Sequence, residues 1–478
     1  MATPTFNRIR MSERLERIKT IDLLMTEEVS PTFCLAKWHH TTIYMHRGQT
    51  HSCYHPKPHD IPLQDLKYDP SVLHNTPQKI DERIQMFNGE QPEGCTYCWN
   101  VENMGGDHIS DRHQRNASIY KEERVDEILN QPPDFKVNPE YIEIAFSNEC
   151  NFKCGYCHPM HSSLYMNEIK KHGPYTTVKN HRNDIDWFTV NGEEDNPYIE
   201  AWNKWWPEVS KTLNILRITG GEPLLHKTTW KTFDELIEHP RPQIEININT
   251  NMGYTPRRME KLVDYVTKMR DNNSIKAFKM FSSMDTWGKR AEYLRTGLDI
   301  ETWEKNQDIY LRGVQSHITH MVTFNILSVT SFQSFLEKIL EWREKYEDII
   351  PNNLGTSEDV RKIRFDTPYL KEPIQYDMHI LPKEEFLPYF DKILDFIREN
   401  VVEDDRTKFS ELEYERFRRV RDYFESTQYD DEKIKEGRID FYNWFTEYDK
   451  RRNVKFLDTF PEMEDFWNLC KSTHEEEN

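Results

Sequence analysis

Residues 141–157 read YIEIAFSNECNFKCGYC, an apolar run that leads directly into three closely spaced cysteines. The part from Tyr141 to Ser147 alternates and then turns apolar, which predicts a strand that enters a buried sheet. Cys150, Cys154 and Cys157 follow with the spacing C-x3-C-x2-C. Three thiolates in one tight loop can hold three corners of a cubic iron–sulfur cluster and leave the fourth iron open. The stretch therefore predicts a reactive metal loop after a buried strand. The alternative is a structural zinc site completed by a fourth ligand such as His158.

A second motif, Gly220-Gly221-Glu222-Pro223, follows the predicted strand Ile215–Thr219. Glycines allow the backbone to approach a ligand closely, and Glu222 offers an acceptor for an ammonium group. A simple turn between strand and helix is the alternative interpretation. The pairing of this motif with the cysteine loop favours a cofactor site over zinc.

Strands and helices alternate about six times downstream of the cysteines, which predicts an α/β fold with a parallel sheet and helical crossovers. An open or partial (β/α) barrel fits this alternation. The predicted strands after Tyr141–Ser147 are Ile215–Thr219, Ile244–Thr250, Ile275–Ser283, Ile318–Leu327 and Asp377–Leu381. The predicted helices are Thr229–Glu238, Pro256–Met269, Ile300–Leu311 and Phe332–Tyr346.

The segment from Phe146 to Cys157 resembles the cluster loop of the radical SAM superfamily, and Gly220 to Pro223 resembles the GGEP element of that superfamily. The resemblance implies a partial (β/α)6 barrel of the TIM type. It also implies a [4Fe-4S] cluster on the three cysteines and S-adenosylmethionine as the cofactor. Tyr156 would touch the adenine, while Gly220, Gly221 and Glu222 would receive the amino group.

The segment Ser283-Met284-Asp285-Thr286, with Arg295 downstream, is similar to the S-x-D-G … R pattern of the superfamily. By that resemblance Ser283 and Arg295 hold the ribose and the carboxylate of the cofactor. Thr286 replaces the usual glycine, which puts the turn geometry in question. A surface helix charge is the alternative for Arg295. Asn325, like Thr250 and Asn251, resembles polar positions that line the barrel.

Four further cysteines, Cys34, Cys53, Cys95 and Cys98, lie near the N-terminus, and the first two frame Gly48 as C-x13-G-x4-C. The set resembles the auxiliary-cluster domains of the SPASM and twitch groups. Its position before the barrel resembles stand-alone twitch radical SAM proteins, some of them encoded by large bacterial viruses. The resemblance implies an auxiliary [4Fe-4S] cluster, and structural zinc is the alternative.

The predicted domains are a twitch-like auxiliary domain at 1–135, a radical SAM barrel at 136–385 and a helical extension at 386–478. The aromatic run Trp202, Trp205 and Trp206 favours a packing helix over a lid. A net charge of −19 disfavours broad, salt-dependent binding to nucleic acid, and the chain has no apolar run of membrane-spanning length. We therefore expect a cytoplasmic protein, in the host cytoplasm if it is viral.

The resemblance implies that the cofactor is cleaved reductively to a 5′-deoxyadenosyl radical, with a flavodoxin- or ferredoxin-type protein as the reductant. The first functional prediction is hydrogen abstraction from a peptide or protein side chain by an oxidoreductase or maturase-like enzyme. The auxiliary cluster would then assist oxidation or cross-linking. A small-molecule radical SAM dehydrogenase is the second. A non-enzymatic protein stapled by zinc is the alternative from another class.

Overall fold

The computed structural model describes residues 3–105, 108–179, 185–186, 188–349 and 361–477, with side chains from residue 13 onward. The chain forms an α/β protein with two compact units. The first unit contains Met1–Phe146 and Asn191–Arg217, and the second contains Ser147–Val190 and Ile218–Asn478. The three predicted domains, and the closure of a partial barrel, stay predictions.

The helices are numbered in chain order. They are α1 Thr3–Glu28, α2 Ala36–His39, α3 Leu63–Leu66, α4 Pro77–Phe87, α5 Thr96–Asn103, α6 Asp111–Ile119, α7 Glu122–Leu129, α8 Ser163–His172, α9 Pro197–Thr212, α10 Lys227–Glu238, α11 Pro256–Asp271, α12 Lys289–Leu294, α13 Ile300–Val314, α14 Phe332–Lys345, α15 Lys383–Glu399, α16 Glu411–Ser426, α17 Asp431–Arg452, α18 Phe456–Thr459 and α19 Glu464–Glu475.

The strands are β1 His40–Tyr44, β2 Gln49–His51, β3 His59–Asp60, β4 Tyr141–Ala145, β5 Ile215–Thr219, β6 Glu245–Thr250, β7 Ala277–Ser283, β8 Ile318–Met321 and β9 Ile363–Asp366. In the first unit β1 pairs with β4 in parallel and with β2 antiparallel, and β2 pairs antiparallel with β3. In the second unit β6, β7, β8 and β9 pair in that order, all in parallel.

Parallel strands in the second unit are joined by helices that cover the sheet. The strand β6 reads EININT and buries five of its six side chains, as expected for a strand covered on both faces. The predicted helices of this unit are confirmed as α10, α11, α13 and α14, within three residues at each end. Pro256 occupies the first turn of α11, where its missing N–H costs nothing.

The predicted strand Asp377–Leu381 is wrong. Residues 374–376 and 378–380 form two 3-10 turns, and the Asp377 carboxylate accepts the backbone N–H of His379 at 2.9 Å. This local side-chain bond stabilises the turn in place of a ladder bond. The sheet takes Ile363–Asp366 as its strand instead, a segment whose alternation is hidden among charged residues. The strand predicted over Ile318–Leu327 ends early, at Met321.

The tryptophans of α9 are buried in the first unit, with Trp202 only 1% exposed. Its ring packs edge-on against Phe146, with centroids 5.9 Å apart. The packing interpretation of this helix is therefore confirmed. Among the described residues, no helix combines the length and the apolar character that a bilayer crossing demands.

Candidate active site

The cysteine loop, residues 147–157, belongs to the second unit. A 3-10 turn, Pro159–His161, separates it from the start of α8 at Ser163. The backbone N–H of Cys157 donates to the carbonyl of Cys154 at 3.0 Å, which closes a tight turn between these two ligand positions. The N–H of Cys150 donates to Ser163 Oγ at 3.2 Å. Burial, together with the nearby Cys154 thiol, raises the pKa of Cys157 to about 12. The thiols therefore interact electrostatically across one loop.

N–H groups are directed at two of the three sulfur atoms. Cys150 Sγ accepts from the backbone N–H of Phe152 at 3.4 Å and from Asn251 Nδ2 at 3.8 Å. Cys154 Sγ accepts from Arg295 Nη1 at 3.8 Å. Such donors stabilise negative charge on sulfur, which is the form in which cysteine binds iron.

Arg295 and Asp285 form a buried ion pair beside the cysteine loop, with Nη2 and Oδ1 2.9 Å apart. Asp285 also accepts the hydroxyl proton of Tyr156 at 2.6 Å and the backbone N–H of Thr323 at 2.8 Å. Arg295 is 5% exposed, so the surface-charge interpretation is wrong. Its buried Nε has no hydrogen-bond partner among the described residues. One donor of the guanidinium thus stays available for an acceptor such as a carboxylate.

The glycine turn packs directly on the cysteine loop. The N–H of Gly221 donates to Ser147 O at 3.2 Å, and the N–H of Glu222 donates to Glu149 O at 2.8 Å. A Cβ at Gly221 would lie 2.2 Å from the Glu149 carbonyl oxygen, and Gly220 has φ of +117°. Glycine is required at both positions by close approach and by backbone conformation.

The Glu222 carboxylate is fully buried and already accepts three hydrogen bonds. Thr250 Oγ1 and the N–H of Asn251 donate to it at 2.7 Å each, and the N–H of Leu224 donates at 3.3 Å. Burial raises its pKa to about 7. Glu222 therefore anchors the glycine turn to the end of β6, from which Asn251 reaches Cys150. Its role toward the cofactor amino group stays a prediction.

Two further predicted residues have different surroundings. Ser283 is the last residue of β7 and is half-buried. Asn325 is fully buried in the segment after β8. Its Nδ2 donates to Thr323 O at 2.8 Å, and its Oδ1 accepts the N–H of Leu327 at 3.0 Å. The Asn325 amide thus shapes a local turn, while its neighbour Thr323 contacts Asp285.

The first unit brings the four N-terminal cysteines together around one cavity. Cys34, Cys53, Cys95 and Cys98 all line it, and it encloses about 390 Å³, counted out to its open side. Cys34, Cys95 and Cys98 are 6–7% exposed, while Cys53 is half-buried. Burial raises the pKa of Cys95 to about 11, and the neighbouring Cys53 adds to that shift.

Basic side chains line this four-cysteine cavity, namely Lys37, Arg112 and Arg115, together with the Asp111 carboxylate. Lys37 is 1% exposed and pairs with the buried Glu82, while Lys79 and Arg83 are buried outside the lining. Within the described residues, Lys79 Nζ donates only to the hydroxyl groups of Thr41 and Thr50. A buried ammonium without a counter-charge is costly, and burial lowers the pKa of Lys79 well below its usual range. Four thiolates on a metal dication carry a net charge of about −2, which offsets the excess.

The donor chemistry of both cysteine sets fits metal–thiolate groups. No group of three or more His, Cys, Asp or Glu side chains in the described ranges is arranged to hold a metal ion as it stands. In a cubic cluster each thiolate binds a different iron, so the thiols do not converge on a single point. The loop set offers three thiols with N–H donors, and the N-terminal set offers four thiols among cations.

The sequence did not indicate three groups that support these sites. Tyr376 and Tyr448 pack on Gly155, where an added Cβ would lie 2.0 Å and 3.0 Å from their side-chain atoms. Arg452 Nη1 donates to Lys153 O at 2.6 Å. The buried cations of the first unit were also missed. Lys37 lies only three residues from Cys34, but nothing in the local sequence indicates which basic side chains are buried.

Comparison with known proteins identifies related segments. The profile described as "Radical SAM superfamily" matches residues 144–270. The GTP 3′,8-cyclase of Nautilia profundicola is 25% identical over 145 residues, which cover 30% of this chain and 37% of that protein. The GTP 3′,8-cyclase of a Sulfurovum species is 24% identical over 183 residues, which cover 37% and 48%. The chain thus spans less than half the length of these curated relatives.

A solved structure described as "Native anSMEcpe with bound AdoMet and Kp18Cys peptide" is 15% identical, with a TM-score of 0.33. The match covers 54% of this chain and 59% of that chain. The profile and the curated relatives support the radical SAM superfamily, which implies a [4Fe-4S] cluster and S-adenosylmethionine. The twitch or SPASM subgroup stays a prediction.

Proposed function

We propose that this chain is a radical SAM enzyme whose reactive centre is the cysteine loop. The observation that carries the proposal is the arrangement of Cys150, Cys154 and Cys157 beside a buried Arg295 that keeps one unpartnered donor. The superfamily match over 144–270 includes the three cysteines and the glycine turn. When bound, a [4Fe-4S] cluster and S-adenosylmethionine would supply a 5′-deoxyadenosyl radical that removes a hydrogen atom from the substrate.

The residues of the second unit have separate tasks in this proposal. Cys150, Cys154 and Cys157 hold three irons of the cluster. Arg295 binds the cofactor carboxylate, because its guanidinium is fixed by Asp285 and still has a free N–H. Tyr156 is oriented by its hydrogen bond to Asp285, which fixes its ring beside the guanidinium.

The glycine turn keeps backbone polar groups close to the loop without side chains in between. Gly220 and Gly221 present that surface to the cofactor, and Ser283 and Asn325 belong to the wider site by resemblance. Glu222 acts as a positioning residue, since its carboxylate fixes the turn against β6. The fold thus sets the geometry before the cofactor arrives.

We assign the four N-terminal cysteines to an auxiliary [4Fe-4S] cluster. The support is the closed set of four thiols, since a cube with four protein ligands has no open iron and suits electron transfer. Lys37, Arg112 and Arg115 line the cavity against one carboxylate, Asp111, and this positive charge supports a dianionic centre, whether iron–sulfur or zinc. A flavodoxin- or ferredoxin-type protein would supply electrons.

The proposed substrate is a peptide or protein side chain, which the auxiliary cluster would help to oxidise or cross-link. A small-molecule substrate is the second candidate, because both curated relatives are named for acting on GTP. The two candidate substrates differ in size, so a mass spectrum shows which of them is modified. Incubation with S-adenosylmethionine and either a peptide library or a nucleotide panel, followed by mass spectrometry, separates them.

The test of the proposal is metal analysis after anaerobic purification and reconstitution, together with an assay for 5′-deoxyadenosine. About 8 iron and 8 sulfide per chain, with cofactor cleavage, would support two cubic clusters. About 4 iron with 1 zinc would retain the enzyme and make the N-terminal site structural. Zinc alone without cleavage would overturn the proposal in favour of a non-enzymatic zinc protein.

A further inference from the structure

The second unit contains an acidic cavity that the proposed chemistry does not use. It encloses about 1040 Å³, counted out to its open mouth, and its lining includes Glu372, Gln375, Asp430, Glu432, Glu436 and Asp440. Two lysines, Lys179 and Lys433, also line it. Five carboxylates against two ammonium groups leave this acidic cavity with an excess of negative charge.

Of the two lysines, Lys179 neutralises one carboxylate of the cavity, and neither lysine forms an ion pair with Asp440 in the described part of the chain. Lys179 is 65% exposed and pairs with Glu436, whose side chain is 12% exposed. Lys433 Nζ lies over the ring of Tyr429, 3.4 Å from its centroid. The most buried carboxylate, Asp440, is 2% exposed and accepts the N–H of Val178 at 2.6 Å through Oδ1.

A buried amide in the same wall is an independent indication of a ligand. Gln375 is 2% exposed and lines the acidic cavity. No hydrogen bond joins its side chain to any other part of the chain that the structure describes. A largely buried primary amide at a cavity wall, without a protein partner, is positioned to exchange solvent for the polar groups of a ligand. Its carbonyl oxygen is an additional acceptor for a cationic group.

The carboxylates follow a regular spacing along α17. Glu432, Glu436 and Asp440 are four residues apart, so they form a stripe along one side of the helix. Like charges at this spacing repel each other and destabilise an isolated helix. Burial raises the pKa of Asp440 to about 7, with Glu436 and Glu372 adding to the shift and Lys179 opposing it. A bound cation would relieve this repulsion.

The same helix connects the acidic cavity to the cysteine loop. The four-residue spacing continues through Trp444 to Tyr448. Trp444 Nε1 donates to the hydroxyl of Tyr376 at 3.3 Å, and both Tyr376 and Tyr448 approach Gly155. Tyr376 is also the direct neighbour of Gln375 and packs edge-on against Tyr156, with centroids 5.8 Å apart.

From Asp440 to Tyr448 the helix rises about 12 Å, at about 1.5 Å per residue. An extended peptide covers that distance in about four residues. A peptide anchored in the acidic cavity by one side chain is therefore long enough, at about four residues, to span this distance. This spacing suits a peptide better than a compact small molecule.

We propose that the acidic cavity is a subsite for a lysine or arginine side chain of a peptide substrate, about four residues from the residue that reacts. The inference rests on the proposed function, whose substrate class it refines. The ammonium or guanidinium group binds Asp440 and Glu436, and the Gln375 amide oxygen accepts a further N–H.

The test measures peptide binding without turnover, by calorimetry on the reconstituted full chain under anaerobic conditions at low salt. The probes are an alanine heptapeptide with one central lysine, blocked at both ends, and the same peptide with acetyl-lysine. We expect the lysine peptide to bind at least tenfold more tightly. Equal binding of the two peptides would overturn the inference.

Two variants locate the effect. Asp440→Asn keeps an acceptor for the Val178 N–H and should reduce the preference about tenfold. The double variant Glu372→Gln/Glu432→Gln changes exposed side chains only, so folding is not at risk, and it should reduce the preference about threefold. The control Glu341→Gln removes one exposed charge on α14 and should change nothing. An unchanged preference in both cavity variants would contradict the subsite.

Binding of Ca²⁺ distinguishes a peptide subsite from a metal site. If Ca²⁺ binds at micromolar concentration and abolishes the peptide preference, the acidic cavity is a metal site and the inference is overturned. Cofactor cleavage by the unmodified chain is measured separately. Absent cleavage with a retained lysine preference would remove the proposed function and leave the subsite. Intact cleavage without any lysine preference would do the reverse.

Discussion

The two cysteine sites differ in exposure and in the charge around them. In the second unit Cys150, Cys154 and Cys157 are all half-buried, and the nearby Arg295 is neutralised by Asp285. In the first unit three of the four cysteines are at most 7% exposed. Lys37, Arg112 and Arg115 line their cavity together with one carboxylate, that of Asp111.

This difference matches two kinds of metal chemistry. A site with three accessible thiols and a balanced ion pair leaves room for a cofactor that brings its own charge. A closed site with four thiols and surplus cations stabilises a fixed dianion. Under the proposed function, exposure and charge would distinguish the reactive centre from the auxiliary centre better than the cysteine count does.

The largest effect that would test this difference is removal of a loop thiol. Cys154→Ala should lower cofactor cleavage by more than about 1000-fold, because the cluster loses one of only three ligands. The circular dichroism spectrum should not change. Cys470→Ala, at a fully buried thiol outside both sites, is the matched control. Retained cleavage in Cys154→Ala would place the reactive centre elsewhere.

Next in size is the effect of a methyl group at the glycine turn. In Gly221→Ala the new Cβ would lie 2.2 Å from Glu149 O, so the turn and the cysteine loop must separate. A misplacement of about 1 Å can cost about 100-fold in rate, and we expect a loss of that order in cofactor cleavage. Gly192→Ala is the control, since a Cβ there meets nothing within 4 Å. Equal rates for the two variants would show that the contact is not required.

Lys79→Met tests the surplus charge in the first unit. The variant removes a fully buried amine whose pKa is lowered well below its usual range by burial, while Thr50 Oγ1 can still donate to Thr42 O at 2.9 Å. We expect the metal-free chain to gain about 1–3 kcal/mol in unfolding free energy, measured in urea. The same variant should retain less metal after reconstitution. If the variant retains metal as well as the unmodified chain does, Lys79 is not a counter-ion.

The smallest effect is a contrast in pH dependence between the units. Burial, with Arg124 and Arg83 nearby, lowers the pKa of His39 to about 3, although Glu140 lies 3.8 Å away. Because the unfolded chain binds the proton near pH 6.5, stability is lost as the pH falls below that value. Between pH 6.5 and pH 5 the cost is about 2 kcal/mol.

Asp440 in the second unit should change stability with pH in the opposite direction. Burial raises its pKa to about 7, so the folded chain holds this proton more tightly than the unfolded chain does. The stabilisation from that proton is lost as the pH rises from 3.8 through 7 and returns on acidification. Hydrogen exchange is measured at pH 5 and pH 7 and corrected for intrinsic rates. On going from pH 7 to pH 5, protection should fall in the segment around His39 and rise in α17. His39→Gln should abolish the first response. Parallel responses in both segments would contradict these pKa shifts.

The sequence predicted the helices of the second unit because their apolar spacing is local. It failed at Ile363–Asp366, where Arg364 interrupts the apolar run, and at 377–381, where the Asp377 side chain stabilises a turn. The thiols of the cysteine loop were predictable since the three ligands span only eight positions. Arg295 was identified by resemblance, but its pairing with Asp285 and its burial were not.

The sequence by itself determined the cysteine spacing, the glycine turn and the alternation of strands and helices, because each depends on neighbours within a few residues. Only the tertiary structure decided which charges meet. Arg112 and Arg115 line the same cavity as Cys34, and Gln375 and Asp440 share one cavity wall. Burial and electrostatic pairing depend on contacts between distant segments, and spacing along the chain does not encode them.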